Sequence, residues 1–254
     1  MYLWKYWRES RITFGIAMLL LAGLTALSLR GHVVIGGLDE RQYANVVNGM
    51  LYAAAVPMAI VAWVLGSFGV GRSLGEGAGS YLFSRPRPRA WFLWLDWGCG
   101  LGLLAILVLL YNLLTSWMAH RIMRAGGGPF SGQVSFRDLA EPVSLIHLMG
   151  LNAIAIFLFC GIIFGVVYLW TILVKNALGV VMGAGTLACY VILSAVIKHN
   201  FGYEMPDLLY RVYAISLGGV HGLQDHLGLS LALRAGIVAL FPIAAQQVLN
   251  RIDI

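Results

Sequence analysis

Six histidines, three cysteines and a few isolated acids are the side chains in this 254-residue sequence that invite a chemical reading. Metal or haem ligation would need two or more imidazoles on one face, commonly at i,i+4 of a helix. His32, His120, His147, His199, His221 and His226 offer no such pair, and no Cys-x-x-Cys-His occurs. Cys99, Cys160 and Cys189 lie at irregular spacing inside apolar runs, forming neither a disulfide framework nor a zinc pattern, and read as packing residues. A glycine-rich stretch within Gly71 to Trp91 suggests a phosphate cradle, but G-x-x-x-x-G-K-[ST] occurs nowhere, so ATP binding by this chain is not expected. No nucleophile–base pair stands out either. The expectation is a chain with no catalytic residue, no metal and no cofactor of its own. Asp96 is the one acid inside an expected span; it lies near the end, where hydration by the interface is the simple reading.

The elements that would position these groups are set by hydropathy. Sixty per cent of the residues are hydrophobic and 11% are charged, against about 25% charged in ordinary soluble domains; mean hydropathy is +0.82. Ile12 to Leu29, Gln42 to Gly71, Trp97 to Ala119, Pro142 to Val174 and Asn176 to Ile197 hold no Asp, Glu, Lys or Arg. Crossing a bilayer takes roughly 20 such residues. The fold class expected is all-α integral membrane, one domain over 1–254 with six transmembrane helices, at about 12–30, 46–71, 91–119, 144–174, 176–197 and 231–250. The Pro142 to Val174 run reads as one tilted helix with an interfacial first turn around His147, Gly150 and Asn152. In the last span Arg234 falls in the first turn, from which it is expected to snorkel to the headgroups. A signal peptide competes for the first span, on the basic start and Ala26-Leu27-Ser28, but retention is expected.

Basic residues set the orientation. With the N-terminus inside, the inner segments carry about twice the Lys and Arg density of the outer ones, as the positive-inside rule requires. Trp91, Trp94, Trp117 and Trp170 lie near span ends. The net charge of +6 therefore reads as orientation in a cell (inner) membrane, with the lipid bilayer as partner and no nucleic acid. In Met1 to Arg11, Leu3, Trp4 and Trp7 recur at helical spacing among Lys5, Arg8 and Arg11, predicting a short amphipathic helix in the cytoplasmic interface on Trp4, Trp7 and Arg8, the alternative being a frayed basic flank of the first span. Between Lys198 and Ser230, Pro206-Asp207 opens one short outer helix and His221 to Leu227 forms a further turn, or the whole is a surface loop.

Gly71 to Trp91 is the largest expected cytoplasmic feature, and Pro86 and Pro88 bar a continuous helix through it. Glu76, the Gly79-Ser80 pair, Leu82, Ser84-x-Pro86 and Arg89 resemble the loop between the second and third spans of type-2 ABC transporter permeases. The N-terminal WKYWRESR is similar to the connecting helix of that family. Phe83 and Arg85 depart from its more usual aliphatic and small residues. The resemblance implies a permease subunit of an ATP-driven transporter, an exporter by its outer hairpin, not an enzyme. It implies an ABC ATPase subunit holding ATP and magnesium, a second permease chain as homo- or heterodimer partner, and an ATPase-coupling role for Glu76, Gly79, Ser80, Leu82, Ser84, Pro86 and Arg89. The alternative is a membrane anchor or haem/quinone-binding subunit of a respiratory complex, on the outer histidines. The spans' sparse polar residues (Asn48, Asn112, Asn152, Thr115, Thr171, Thr186, Ser194) favour an amphiphilic or lipid-linked cargo.

Overall fold

The computed structural model describes residues 2–32, 55, 57–75, 88–125, 133–134, 143–175, 178–201 and 223–251. Among these the chain forms seven helices and one small hairpin: α1 (Tyr2–His32), α2 (Pro57–Gly66), α3 (Val70–Gly75), α4 (Arg89–Ala125), β1 (Gln133–Val134), β2 (Val143–Ser144), α5 (Leu145–Val174), α6 (Leu178–Phe201) and α7 (Leu223–Arg251). Four of them contain stretches long and apolar enough to cross a membrane: Arg89–Trp117, Met149–Val174, Leu178–Ile197 and Leu231–Arg251. The chain is thus an all-helical, multi-pass candidate for the bilayer, with an antiparallel strand pair (Gln133 opposite Ser144, Val134 opposite Val143) between α4 and α5.

At the N-terminus the expected interfacial helix is not separate. α1 runs unbroken for 31 residues, roughly 46 Å at 1.5 Å per residue. Met1 to Arg11 holds no Pro or Gly to interrupt it. Ser10, a residue type that could cap a new helix, instead points its hydroxyl back at the Trp7 carbonyl (3.5 Å) and is buried. Phe14, Ala17, Met18 and Leu21 form the stripe that packs on the rest of the molecule, at i, i+3, i+4, i+7. Ile12, Ile16, Leu19 and Leu20 face outward.

The run expected as a span over 46–71 contains a break in the helix. α2 stops at Gly66, a turn and bend follow at 67–69, and α3 begins at Val70. An uncharged sequence gives hydropathy no sign of such a break; the local signal is the Gly66/Gly69 pair.

α5 is the hub. Two-thirds (67%) of its apolar stretch is buried within the chain, against 6% for α6, and it contacts α3, α4, α6 and α7. Lipid tails are as apolar as Leu, so helices in a bilayer associate through close packing and hydrogen bonds. The sequence supplies both. On α6, Gly179 and Gly183 lie against the α5 backbone at Thr171 and Val167, where an added Cβ would come to 2.6 and 3.0 Å. On α5, Gly161 and Gly165 receive Val238 and Phe241 of α7. These are two small-xxx-small seams on opposite sides of one helix. Side-chain donors tie the same elements: Trp63 Nε1–H to the Val180 carbonyl (3.2 Å), Trp94 Nε1–H to Gln246 Oε1 (3.0 Å), Asn112 Nδ2–H to the Met149 carbonyl (3.1 Å) and Trp170 Nε1–H to Thr186 Oγ1 (2.8 Å). An aromatic nest of Trp97, Phe164, Tyr168 and Phe241, with Trp97 centroid distances of 4.9 to 6.2 Å, fills the space between α4, α5 and α7.

α7 begins at Leu223, eight residues before the expected start, because Gln224, Asp225 and His226 depress hydropathy without breaking a helix. The expected turn at His221 to Leu227 is therefore partly the opening of a long helix, and Arg234 lies in its third turn. It does not snorkel: the residue is 1% exposed, enclosed by the protein.

Candidate functional site

The segment singled out by the sequence, 72–90, is described at its two feet, Arg72 to Gly75 and Pro88 to Ala90. Glu76, Gly79, Ser80, Leu82, Ser84 and Pro86 lie outside the described residues. Arg89 is the first residue of α4, half-buried, in a first turn with no acid. A cation there opposes the helix dipole by about 0.3–1 kcal/mol. Trp4, Trp7 and Arg8 lie in the first turns of α1, with Trp7 and Arg8 exposed and the Trp7 ring 6.1 Å from Phe14.

What the structure adds is the elbow beneath the first foot. The Ser67 and Phe68 N–H groups donate to the carbonyls of Val64 (3.1 Å) and Leu65 (3.2 Å), tightening the last turn of α2. Ser67 Oγ donates to the Val64 carbonyl at 2.6 Å. Gly69 has φ +91°, a conformation that side-chain-bearing residues rarely adopt, and the chain bends there. The next residue is captured: the buried Val70 N–H donates to Asp96 Oδ2 at 2.9 Å. The helical bond from Ser73 N–H to the Gly69 carbonyl (3.0 Å) follows. Asp96 thus caps α3 from a different helix, satisfying an N–H that the helix itself cannot. A Cβ at Gly69 would run into the Asp96 carboxylate. The sequence reading of Asp96 as hydrated is overturned: it has no exposed surface.

Gly71 fastens the elbow to α5. Its missing Cβ would meet Thr171 Oγ1 at 2.7 Å and the Thr171 backbone at 2.8 Å. Thr171 Oγ1 donates to the Tyr168 carbonyl (2.8 Å) and approaches the Gly66 carbonyl (3.4 Å). Because Gly179 of α6 also abuts Thr171, three helices converge on that residue. Finally, Val70 and Phe92 bury against one another with Leu74 packed on them, joining α3 to the first turn of α4. The two described ends that flank residues 76–87 are therefore joined to one another through α3 and the first turn of α4.

Sequence reasoning named Asp96 and Thr171 without their roles, and missed Gly69, Gly71, Val70 and Phe92. Their partners are 22 to 100 residues away, a separation that local patterning does not report. Among the described residues no group of three or more His, Cys, Asp or Glu could hold a metal ion. Compared with family models, curated proteins and solved structures, the chain matches none of them.

Proposed function

We propose that the chain is the membrane-spanning permease subunit of an ATP-driven transporter of the type-2 ABC kind, coupled to a separate ATPase through residues 72–90. In this reading it has six spans and a cytoplasmic N-terminus, works beside a second permease chain, and exports an amphiphilic cargo. One observation carries it. The segment bearing Glu76, Gly79-Ser80, Leu82, Ser84-x-Pro86 and Arg89 is rooted in an elbow fixed to α4 by Asp96 and to α5 by Thr171. A push on a loop with mobile roots would be absorbed locally. Applied to roots held in this way, it would move α4 and α5 as bodies, as rigid-body switching requires.

The test is to purify the tagged full chain from its native membrane in mild detergent. An ATP-hydrolysing subunit is expected to accompany it. Glu76→Ala and Arg89→Ala should weaken that association and Glu76→Lys should abolish it, since removing one member of a desolvated interfacial charge pair costs roughly 2–5 kcal/mol. Membrane insertion should be unchanged. Normal co-purification and full ATP-driven activity in all three variants would leave the segment a connecting loop.

A further inference from the structure

A groove of about 290 Å³ opens between α2, α5 and α6, lined by Ala59, Trp63, Phe159, Ile163, Ala184 and Leu187 among others, all apolar. Its depth comes from alanines facing aromatic walls. The one polar group in the lining, the Trp63 indole N–H, is already donated to the Val180 carbonyl, so nothing in the groove invites a polar occupant. Phe159 lies at the midpoint of α5 and Ile163 one turn beyond it. On α5 the lining therefore sits at the helix midpoint and one turn beyond it, on the half that finishes at Val174.

That end carries charge. Beyond the groove's helices, α3 after α2 and the connection after α5 each hold an exposed cation, Arg72, with its guanidinium 5.9 Å from the Phe68 ring centre, and Lys175. Both lie beside Thr171: Gly71 abuts it, and the Lys175 N–H donates to its carbonyl at 3.0 Å. Lys175 occupies a left-handed conformation, φ 53°, where Gly or Asn is the unstrained choice. From Phe159 to Lys175 is about 24 Å along the helix axis, close to one leaflet's hydrocarbon plus its headgroup layer, roughly 21 Å.

We propose that this groove holds one acyl chain of an anionic glycerophospholipid whose phosphate lies between Arg72 and Lys175. The assignment depends only on the helices crossing a bilayer and stands whether or not the chain couples to an ATPase. Lipid shape and charge supply both halves of it: the tail matches an apolar slot at the right depth, and the headgroup matches two cations beyond the slot, beside Thr171.

The full chain would be reconstituted in phosphatidylcholine vesicles with trace phosphatidylglycerol bearing a diazirine near the end of one acyl chain, and photo-adducts mapped by peptide mass spectrometry. Adducts should concentrate on 55–63, 159–163 and 184–187, at least about fivefold above the outward-facing 191–196 stretch of α6. The same chain on phosphatidylcholine should label the groove severalfold less. Arg72→Gln with Lys175→Gly should erase that difference, and Ala59→Phe or Ala184→Phe should lower labelling by either lipid. Lys175 also complements the C-terminal dipole of α5, so labelling and not stability is the readout. Adducts spread evenly over the lipid-facing helices, or equal yields from the two lipids in the unaltered chain, would overturn the proposal. The unaltered chain decides the matter even where a substituted one fails to fold.

Discussion

At Gly69 a positive φ and the Asp96 carboxylate occupy the space that any side chain would need, so the elbow is sensitive to single atoms. Gly69→Ala meets strain and collision together and is expected to lower the thermal midpoint in detergent by more than a simple Gly-to-Ala change, on the order of 1–3 kcal/mol. Asp96 separates two roles. Asp96→Asn keeps an oxygen to accept from the Val70 N–H, whereas Asp96→Ala orphans that buried donor, a loss of about 1–3 kcal/mol. Thermal unfolding of the two variants should therefore rank Asn well above Ala; equal midpoints would mean the cap contributes nothing. The acid's position at a span end was legible in the sequence. Its partner was not, because Val70 lies 26 residues earlier and an isolated charge carries no indication of which backbone group it will meet.

The elements divide by how local their cause is. Arg89–Trp117, Met149–Val174, Leu178–Ile197 and Leu231–Arg251 follow from uncharged runs, and hydropathy alone finds them. The unbroken α1, the bend at 67–69, the β1–β2 pair and the early start of α7 depend on hydrogen bonds or long-range pairing that composition does not encode. The packing seams lie between these cases. Gly161/Gly165 and Gly179/Gly183 are visible as GxxxG spacings once a bilayer is assumed. They yield a paired expectation on α6. Gly183→Leu should separate α6 from α5 and destabilise by about 1–3 kcal/mol as overpacking does. Gly185→Ala, two residues on and facing open space, should be neutral. Thermal unfolding of both in detergent checks the seam, and equal losses would place the helix contact elsewhere.

For the whole molecule, the proposed orientation rests on basic-residue density, and the proposed coupling role requires residues 72–90 on the cytoplasmic side, where an ATPase would work. Single cysteines introduced at Ser84 and Ser131 report this in a chain whose own thiols are replaced. A membrane-impermeant thiol reagent outside intact cells should label position 131 and leave 84 untouched. Ser73, although in the same segment, is buried and makes a poor reporter. The opposite pattern would reverse the orientation and remove the coupling assignment with it.

Contact between residues 72–90 and an ATPase is the claim on which the transport reading turns, and photo-crosslinking in living cells addresses it most directly. A photoreactive amino acid would be placed at Leu82 within the segment and, as a control, at Ser131 across the membrane. The account expects ultraviolet light to join the chain carrying it at 82, and not at 131, to a partner bearing an ATP-hydrolysing domain, with the adduct lost in Glu76→Lys. A chain that crosslinks at 82 only to lipid or itself, or that captures an ATPase equally from both positions, would contradict it.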